Sequence, residues 1–283
     1  MNYRILEKKV LIPGQTTLLV IDAPHVAKKA KPGNFVILRT SEKGERIPLT
    51  IADCDPDAGT VTIVFLVVGK STAELNTFEE GQALHDFCGP LGRPTHIEKQ
   101  GTVICVGGGT GVAAMHHIAK GHAAMGNHVV AIVGARNKDL LLFCNELGNF
   151  CPEVLIATDD GSQGHHGFVT EVLKQRLEED KDVSEVVAIG PVPMMEAVSK
   201  VTKPFGVKTT VSLNAIMVDG IGMCGACRCT VGGETKFACV DGPEFDGHKV
   251  DFGELRLRLS QFRSQEQESM QLFQHKCHCG EGK

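Results

Sequence analysis

The sequence predicts an α/β protein with a β-barrel. An N-terminal antiparallel barrel occupies residues 1–98, a parallel-sheet α/β domain 99–213, and a cysteine loop with a helix and tail 214–283. Three observations predict this. Short β-type runs alternate with turn signals up to Glu98, a rhythm of strand, glycine turn and helix takes over after Gly101, and a glycine-rich stretch holding four cysteines follows Val211. The 283 residues suffice for more than one domain, and 42% apolar with 22% charged residues allows a sizeable core.

In the first part, "LLVIDAP", "KPGNFVILRT", "RIPLTIADCD", "DAGTVTIVFLVV" and "GQALHDFCGPLG" recur at roughly ten-residue spacing, which suits five or six short strands of a small barrel or sandwich. In the second, "TVICVGGGTG" leads into "VAAMHHIAKGHAAM", "HVVAIVGAR" follows, "EVLIATDDG" precedes "FVTEVLKQRLEED", and "EVVAIGP" precedes "PMMEAVSKVT". Val169, Leu173 and Leu177 recur every four residues, as one buried helix face requires. Repeated βα units imply a parallel sheet covered by helices. The third part ends in an amphipathic helix, "FGELRLRLSQF", and the polar tail "RSQEQESMQLFQHKCHCGEGK".

Charge and composition exclude several classes. A formal charge of -5 without a long basic run lacks the electrostatic footprint of a nucleic-acid binder. The segment "MNYRILEKKVLIPG" has no apolar stretch of signal-peptide length, and the longest apolar run, residues 61–68, is too short for a bilayer. A cytoplasmic protein with no membrane partner is expected. Its 11 cysteines then point to thiols and metal ligands, since cytosolic thiols stay reduced.

Two motifs carry chemistry. Gly107, Gly108, Gly109 and Gly111 lie between an apolar strand and a helix, and Gly109, Gly111 and Ala114 fit the G-x-G-x-x-A form of the dinucleotide fingerprint. A tight turn without a ligand fits the same pattern. The next strand ends in Arg136 where a ribose-binding acid is expected, which disfavours an ordinary Rossmann dehydrogenase and keeps a 2'-phosphate open. The second motif is Asp219-x4-Cys224-x2-Cys227-x11-Cys239, the plant-type ferredoxin spacing at every position but the first. Zinc on Cys224, Cys227, Cys229 and Cys239 competes, but the single residue between Cys227 and Cys229 is awkward for two ligands of one ion. The expected group is a 2Fe-2S cluster on Asp219, Cys224, Cys227 and Cys239. No metal is assigned to the tail residues His275, Cys277, His278 and Cys279.

Together "PGNFVIL", "RIPLT", "VVGKST", "GPLG", "GGGTGVAA" and "GPVPMMEAV" make residues 3–260 resemble the ferredoxin-NADP reductase superfamily. The resemblance is to the branch holding dihydroorotate dehydrogenase electron-transfer subunits and the small subunits of NADH-dependent reduced ferredoxin:NADP oxidoreductases. It implies FAD on Arg46, Pro48, Leu49 and Thr50, on Val67, Val68, Gly69, Ser71 and Thr72, and at Gly89, Pro90, Leu91 and Gly92. Arg46 stands one residue earlier than in the family's Arg-x-aromatic-Ser pattern. NAD(H) is implied at Gly107, Gly108, Gly109, Thr110 and Gly111, at Gly134, Ala135 and Arg136, at Asp159, Asp160 and Gly161, and at Gly190, Pro191 and Met194. Many relatives carry Cys where this chain has Ile189, so no thiol is given a part in hydride transfer.

The implied activity is hydride exchange with NAD(H), with single electrons passing between FAD and the 2Fe-2S cluster. A larger partner subunit bearing a flavin and 4Fe-4S clusters is implied, bifurcating electrons between ferredoxin and NADP(H). Asp219 favours the oxidoreductase branch, since the dihydroorotate dehydrogenase subunit is expected to use four cysteines. The alternatives are that subunit, a sulfide or polysulfide reductase subunit, and, from another class, a non-catalytic zinc-binding interaction module.

Overall fold

The computed structural model of the chain describes residues 2–280, and side chains up to His275; Cys277, His278 and Cys279 lie outside the described side chains. The first part contains β1 (Tyr3–Ile12), β2 (Thr16–Asp22), α1 (Pro24–Ala27), β3 (Phe35–Arg39), β4 (Ile47–Asp55), β5 (Thr60–Leu66), α2 (Lys70–Asn76), β6 (Ala83–Leu84) and β7 (Asp86–Leu91). They pair antiparallel in the order β6-β1-β2-β5-β4-β3-β7, a nearly closed barrel. Alternation explains the closure. Leu19 and Ile21 of β2 and Val61, Ile63 and Phe65 of β5 point inward and are buried, as period-two patterning demands. The seventh strand is the two-residue β6, too short to register as a run in the sequence.

The second part is β8 (Thr102–Gly108), α3 (Gly111–Ala124), β9 (His128–Ala135), α4 (Cys144–Gly148), β10 (Glu153–Thr158), β11 (His165–His166), α5 (Val169–Glu179), β12 (Val183–Ile189), α6 (Val192–Thr202) and β13 (Lys208–Ser212). The sheet runs β11-β10-β9-β8-β12-β13 in parallel. Its central strand β8 buries Val103, Ile104, Cys105 and Val106 without alternation, because helices cover both faces. On α5, Val169, Leu173 and Leu177 are the buried face that their spacing predicts.

The third part holds β14 (Arg228–Val231), β15 (Glu234–Phe237), β16 (Glu244–Asp246), α7 (Phe252–Leu259) and α8 (Arg263–Gly280). Gly232 and Gly233, with φ of 62° and 81°, make the two-residue turn that joins β14 to β15. β16 adds antiparallel to β13, so the third part extends the parallel sheet. The polar tail is helical rather than irregular: α8 packs against α2, with Met270 and Phe273 its half-buried apolar positions.

The parts are tied together by named contacts. His117 Nδ1 of α3 lies 3.1 Å from the Ile51 carbonyl of β4, and Lys120 bridges Asp53 at 2.8 Å. Arg93 Nε donates to the Val240 carbonyl at 3.1 Å, fixing the barrel's exit to the cysteine segment. Among the described residues, no helix is long and apolar enough to cross a membrane.

Candidate functional site

The glycine turn between β8 and α3 is shaped by close approach. A side chain at Gly111 would collide with the Ile189 carbonyl, and one at Gly108 with Met194 Sδ at 2.5 Å, so both glycines let the β12-α6 loop press on the turn. Gly109, at φ 55°, has open space above it. That space belongs to a cavity of about 600 Å³. Of the residues expected at NAD(H), Gly108, Gly109, Thr110, Gly134, Ala135, Arg136, Asp159, Pro191 and Met194 line it. Gly107, Gly111, Asp160, Gly161 and Gly190 do not. Asp160 is turned to its own loop, where hydrogen bonds from Ser162 hold its carboxyl below the usual range.

Sequence reasoning missed the facing wall. Ile12, Gln15, Thr16 and Leu66 of the barrel close the cavity from the other side, and Phe168 stands on its rim. The cavity is therefore a crevice between the two sheets, a usual place for a ligand.

The stretches expected at FAD converge on one side of the barrel. Across β4, β3 and β7, Phe35 pairs with both Thr50 and Leu91, and Ile37 with both Pro48 and Cys88. The Ser71 hydroxyl of α2 donates to Glu45, beside Arg46, which brings the α2 entry to the start of β4. Thr72 Oγ1 accepts from the Val68 and Gly69 amides at 3.0 and 3.1 Å, fixing that entry. Arg46 is exposed and makes no ion pair or hydrogen bond among the described residues, leaving a free guanidinium at the edge. A strand surface flanked by a helix entry and a free Arg fits a flavin nucleotide with its phosphates.

In the cysteine loop the four expected donors fall into two pairs. Cys227 and Cys239 are buried with sulfurs 3.2 Å apart. Asp219 is half-buried and Cys224 exposed, and the two adjoin one another, the Asp219 carboxylate accepting from the Cys224, Met223 and Ile221 amides. These bonds, led by that of Ile221, hold the Asp219 carboxyl below its ordinary range. Burial, with the Cys227 sulfur beside it, pushes the Cys239 thiol up to about 12, so a bound cation would be what makes Cys239 a thiolate. Two pairs of donors fit a two-iron cluster, in which each iron takes two protein ligands.

Among the described residues no group of three or more His, Cys, Asp or Glu gathers to hold a single metal ion. Cys229 turns away, its sulfur 3.8 Å from the Lys236 carbonyl. Gly220, at φ 76°, seats the loop on the barrel, because an added Cβ would lie 2.7 Å from both Ile37 Cδ1 and Leu91 Cδ1. The cluster loop thus rests on β7, whose Leu91 is one of the flavin-side residues, and on β3, which lies between β7 and the flavin-side strand β4.

Comparisons with known proteins agree with this geometry. Residues 214–251 match the iron-sulfur cluster binding domain of dihydroorotate dehydrogenase B, and residues 105–200 the oxidoreductase NAD-binding domain. A Thermotoga maritima protein described as a dihydroorotate dehydrogenase B (NAD(+)) electron transfer subunit homolog is 48% identical over 94% of this chain and 94% of its own. The Fusobacterium nucleatum electron transfer subunit is 32% identical over 87% and 96%. A chain from the structure of NADH-dependent reduced ferredoxin-NADP oxidoreductase, which bears on flavin-based electron bifurcation, superposes with a TM-score of 0.91. It is 45% identical and the match covers 96% of this chain and 98% of that one. The cytochrome b5 reductase domain of Ulva prolifera nitrate reductase, 17% identical with a TM-score of 0.56, shares the fold over 73% and 93%. The chain belongs to the family of dihydroorotate dehydrogenase B electron transfer subunits and their homologues, an oxidoreductase subunit that sets an NAD-binding domain and an iron-sulfur domain on the fold of the FAD-binding ferredoxin-NADP reductases.

Proposed function

We propose that this chain is the NAD(H)-linked small subunit of a cytoplasmic electron-bifurcating complex of the NADH-dependent reduced ferredoxin:NADP oxidoreductase type. In this reading residues 1–98 carry FAD, 99–213 take NAD(H), and 214–283 carry a 2Fe-2S cluster. When bound, FAD supplies a centre that exchanges hydride with NAD(H) and single electrons with the cluster.

The chain's own residues position these groups. The open turn at Gly109, whose own amide donates to the Gly134 carbonyl, offers the Thr110 amide and the N-terminal end of α3 to a pyrophosphate. Pro191 and Met194 border the crevice opposite the barrel's Leu66, and the largely apolar wall excludes water from a transferred hydride. Arg46, Pro48, Leu49, Thr50, Ser71 and Thr72 would hold the flavin nucleotide, and Asp219, Cys224, Cys227 and Cys239 the cluster.

The observation that carries the reading is the seat of Gly220 on Ile37 and Leu91, which sets the cluster loop against the flavin-side residue Leu91 of β7 and the strand β3 next to the flavin-side strand β4. An electron leaving through that loop needs an acceptor outside this chain. We therefore assign a larger partner subunit with its own flavin and 4Fe-4S clusters. Asp219 favours this assembly over a dihydroorotate-oxidising one, and so does an identity of 45% to that oxidoreductase chain against 32% to the Fusobacterium nucleatum electron transfer subunit.

The test is the iron, sulfide, zinc and flavin content of the anaerobically purified chain, with an EPR spectrum after dithionite reduction. About two iron, two sulfide and one FAD per chain are expected. Zinc without flavin would overturn the reading. Copurification with a dihydroorotate-oxidising subunit would transfer the chain to the other branch.

A further inference from the structure

We propose that Arg258 of α7 is a positioning residue for the cluster: its guanidinium holds the Ala226 carbonyl between Cys224 and Cys227, and its charge raises the cluster's reduction potential. The inference rests on the cluster reading of the loop and assigns a residue that governs its potential.

Three arginines bond the loop's backbone next to the three expected cysteine ligands. Arg228 donates to the Gly225 carbonyl at 3.2 Å, beside Cys224. Arg258 donates to the Ala226 carbonyl at 3.0 Å, beside Cys227, and Arg93 to the Val240 carbonyl at 3.1 Å, beside Cys239. They differ in what surrounds their charge. Arg228 is exposed and reaches back within its own turn. Arg93 is 70% exposed and has the Asp241 carboxylate at 3.7 Å. Arg258 is half-buried, comes from a separate element, and makes no ion pair among the described residues.

α7 fixes it there. The Asp251 side chain caps the helix by accepting from the Glu254 amide at 2.9 Å, and Phe252 and Leu255 are buried in the core that also holds Cys227 and Cys239. Arg256, in the same turn, pairs with Glu196 of α6 instead. A cation in the last turn of a helix also offsets the helix dipole, but Arg258 sends its hydrogen bond across to the loop.

Ala226 adjoins both pairs of donors. Its amide donates to the Cys224 sulfur at 3.5 Å, and its carbonyl belongs to the peptide bond of Cys227. Four anionic ligands give a two-iron cluster a net negative charge, and the one electron it takes from the flavin adds another. A nearby cation favours the more negative form, and net charge is one of the levers on such a potential. Water and salt damp the charges of the exposed Arg93 and Arg228, so Arg258 acts with the least screening. Its presence favours the passage of an electron from flavin to cluster.

The experiment is a redox titration of the anaerobically purified, FAD-loaded full chain, followed by EPR, with iron and sulfide assays. Arg258→Gln keeps a donor for the carbonyl and loses the charge, whereas Arg258→Lys keeps both. Each is expected to retain about two iron per chain. At a fixed potential Arg258→Gln lowers the reduced-to-oxidised ratio of the cluster by about tenfold, about 59 mV for one electron, and Arg258→Lys by less than about threefold. Arg93→Gln and Arg228→Gln move the ratio less, and about 0.5 M salt shrinks those two shifts but not that of Arg258→Gln.

An unmoved ratio in Arg258→Gln at full iron content overturns the proposal. An equal fall in Arg258→Lys overturns it too, by making the shape of the guanidinium decisive rather than its charge. Loss of iron from Arg258→Gln reduces the residue to a strut of the loop, and three equal shifts that vanish in salt assign the effect to surface charge at large; either result refutes the assignment. A wild type without a 2Fe-2S signal overturns the cluster reading, and this inference with it.

Discussion

The Asp219 carboxylate gathers the amides of Ile221, Met223 and Cys224, and two roles are compatible with that position. As a staple it closes the loop and needs only oxygen acceptors. As a ligand it must bring negative charge to iron, beside Cys224. The two roles respond oppositely to substitution. Asn keeps an oxygen acceptor and loses the charge, whereas Cys loses the acceptors and supplies a thiolate. With Asp219 as a ligand, Asp219→Cys retains about two iron per chain with an altered reduction potential, and Asp219→Asn loses more than about half of its iron. Iron and sulfide assays with a redox titration followed by EPR decide it. Full iron in Asp219→Asn together with a collapsed cluster in Asp219→Cys would make this residue a staple.

At the scale of elements, the loop's position depends on Gly220, which combines a φ of 76° with no room for a side chain against Ile37 and Leu91. Gly220→Ala should cost about 1–2 kcal/mol of stability and lift the loop from the barrel. NADH would still reduce the flavin, while electrons would reach an external one-electron acceptor more slowly. Stopped-flow traces of the two steps separate these effects, and an unchanged second step would show that loop and barrel need not touch. Elements with strong periodicity were legible from the sequence: the βα units around β8, β9, β10 and β12, and the buried stripe of α5. The cysteine loop and the glycine turn were legible because their chemistry is local in the chain. α8 was not, because a helix with few buried positions carries a weak apolar period and its composition resembles a tail. The hairpin of β14 and β15 did leave a signal in the pair Gly232 and Gly233, between two short β-type runs. Ile12, Gln15, Thr16 and Leu66 left none, since they reach the crevice only through the packing of the barrel on the α/β sheet.

Over the whole molecule, the three parts meet around one carboxyl group. Glu244 of β16 accepts from the Thr95 hydroxyl at 2.7 Å, and Gly33 of the barrel lies against it, since an added Cβ there would be 3.1 Å from Glu244 Oε1. Burial pushes the Glu244 carboxyl up to about 7, with the charge of Glu185 adding to the rise and the Thr95 bond opposing it. In the unfolded chain this group titrates near the ordinary 4.5. Between those values the folded protein holds a proton that the unfolded chain has lost, so stability falls as pH rises through this window and levels off above about 7. The rise corresponds to about 3 kcal/mol. The buried His116, His117 and His122 of α3 act in the opposite sense: burial lowers each of them, so their contribution is lost as pH falls below the usual histidine range. The junction is therefore squeezed from both sides. Glu244→Gln keeps an oxygen for Thr95 and removes the ionisation, so it should raise the melting temperature of the holoprotein by several degrees at pH 8 and by much less at pH 5, where the wild-type carboxyl is already largely protonated. Melting curves of both proteins at the two pH values check this, and an equal shift at pH 5 and pH 8 would mean that packing at the junction, rather than the charge of Glu244, sets its stability.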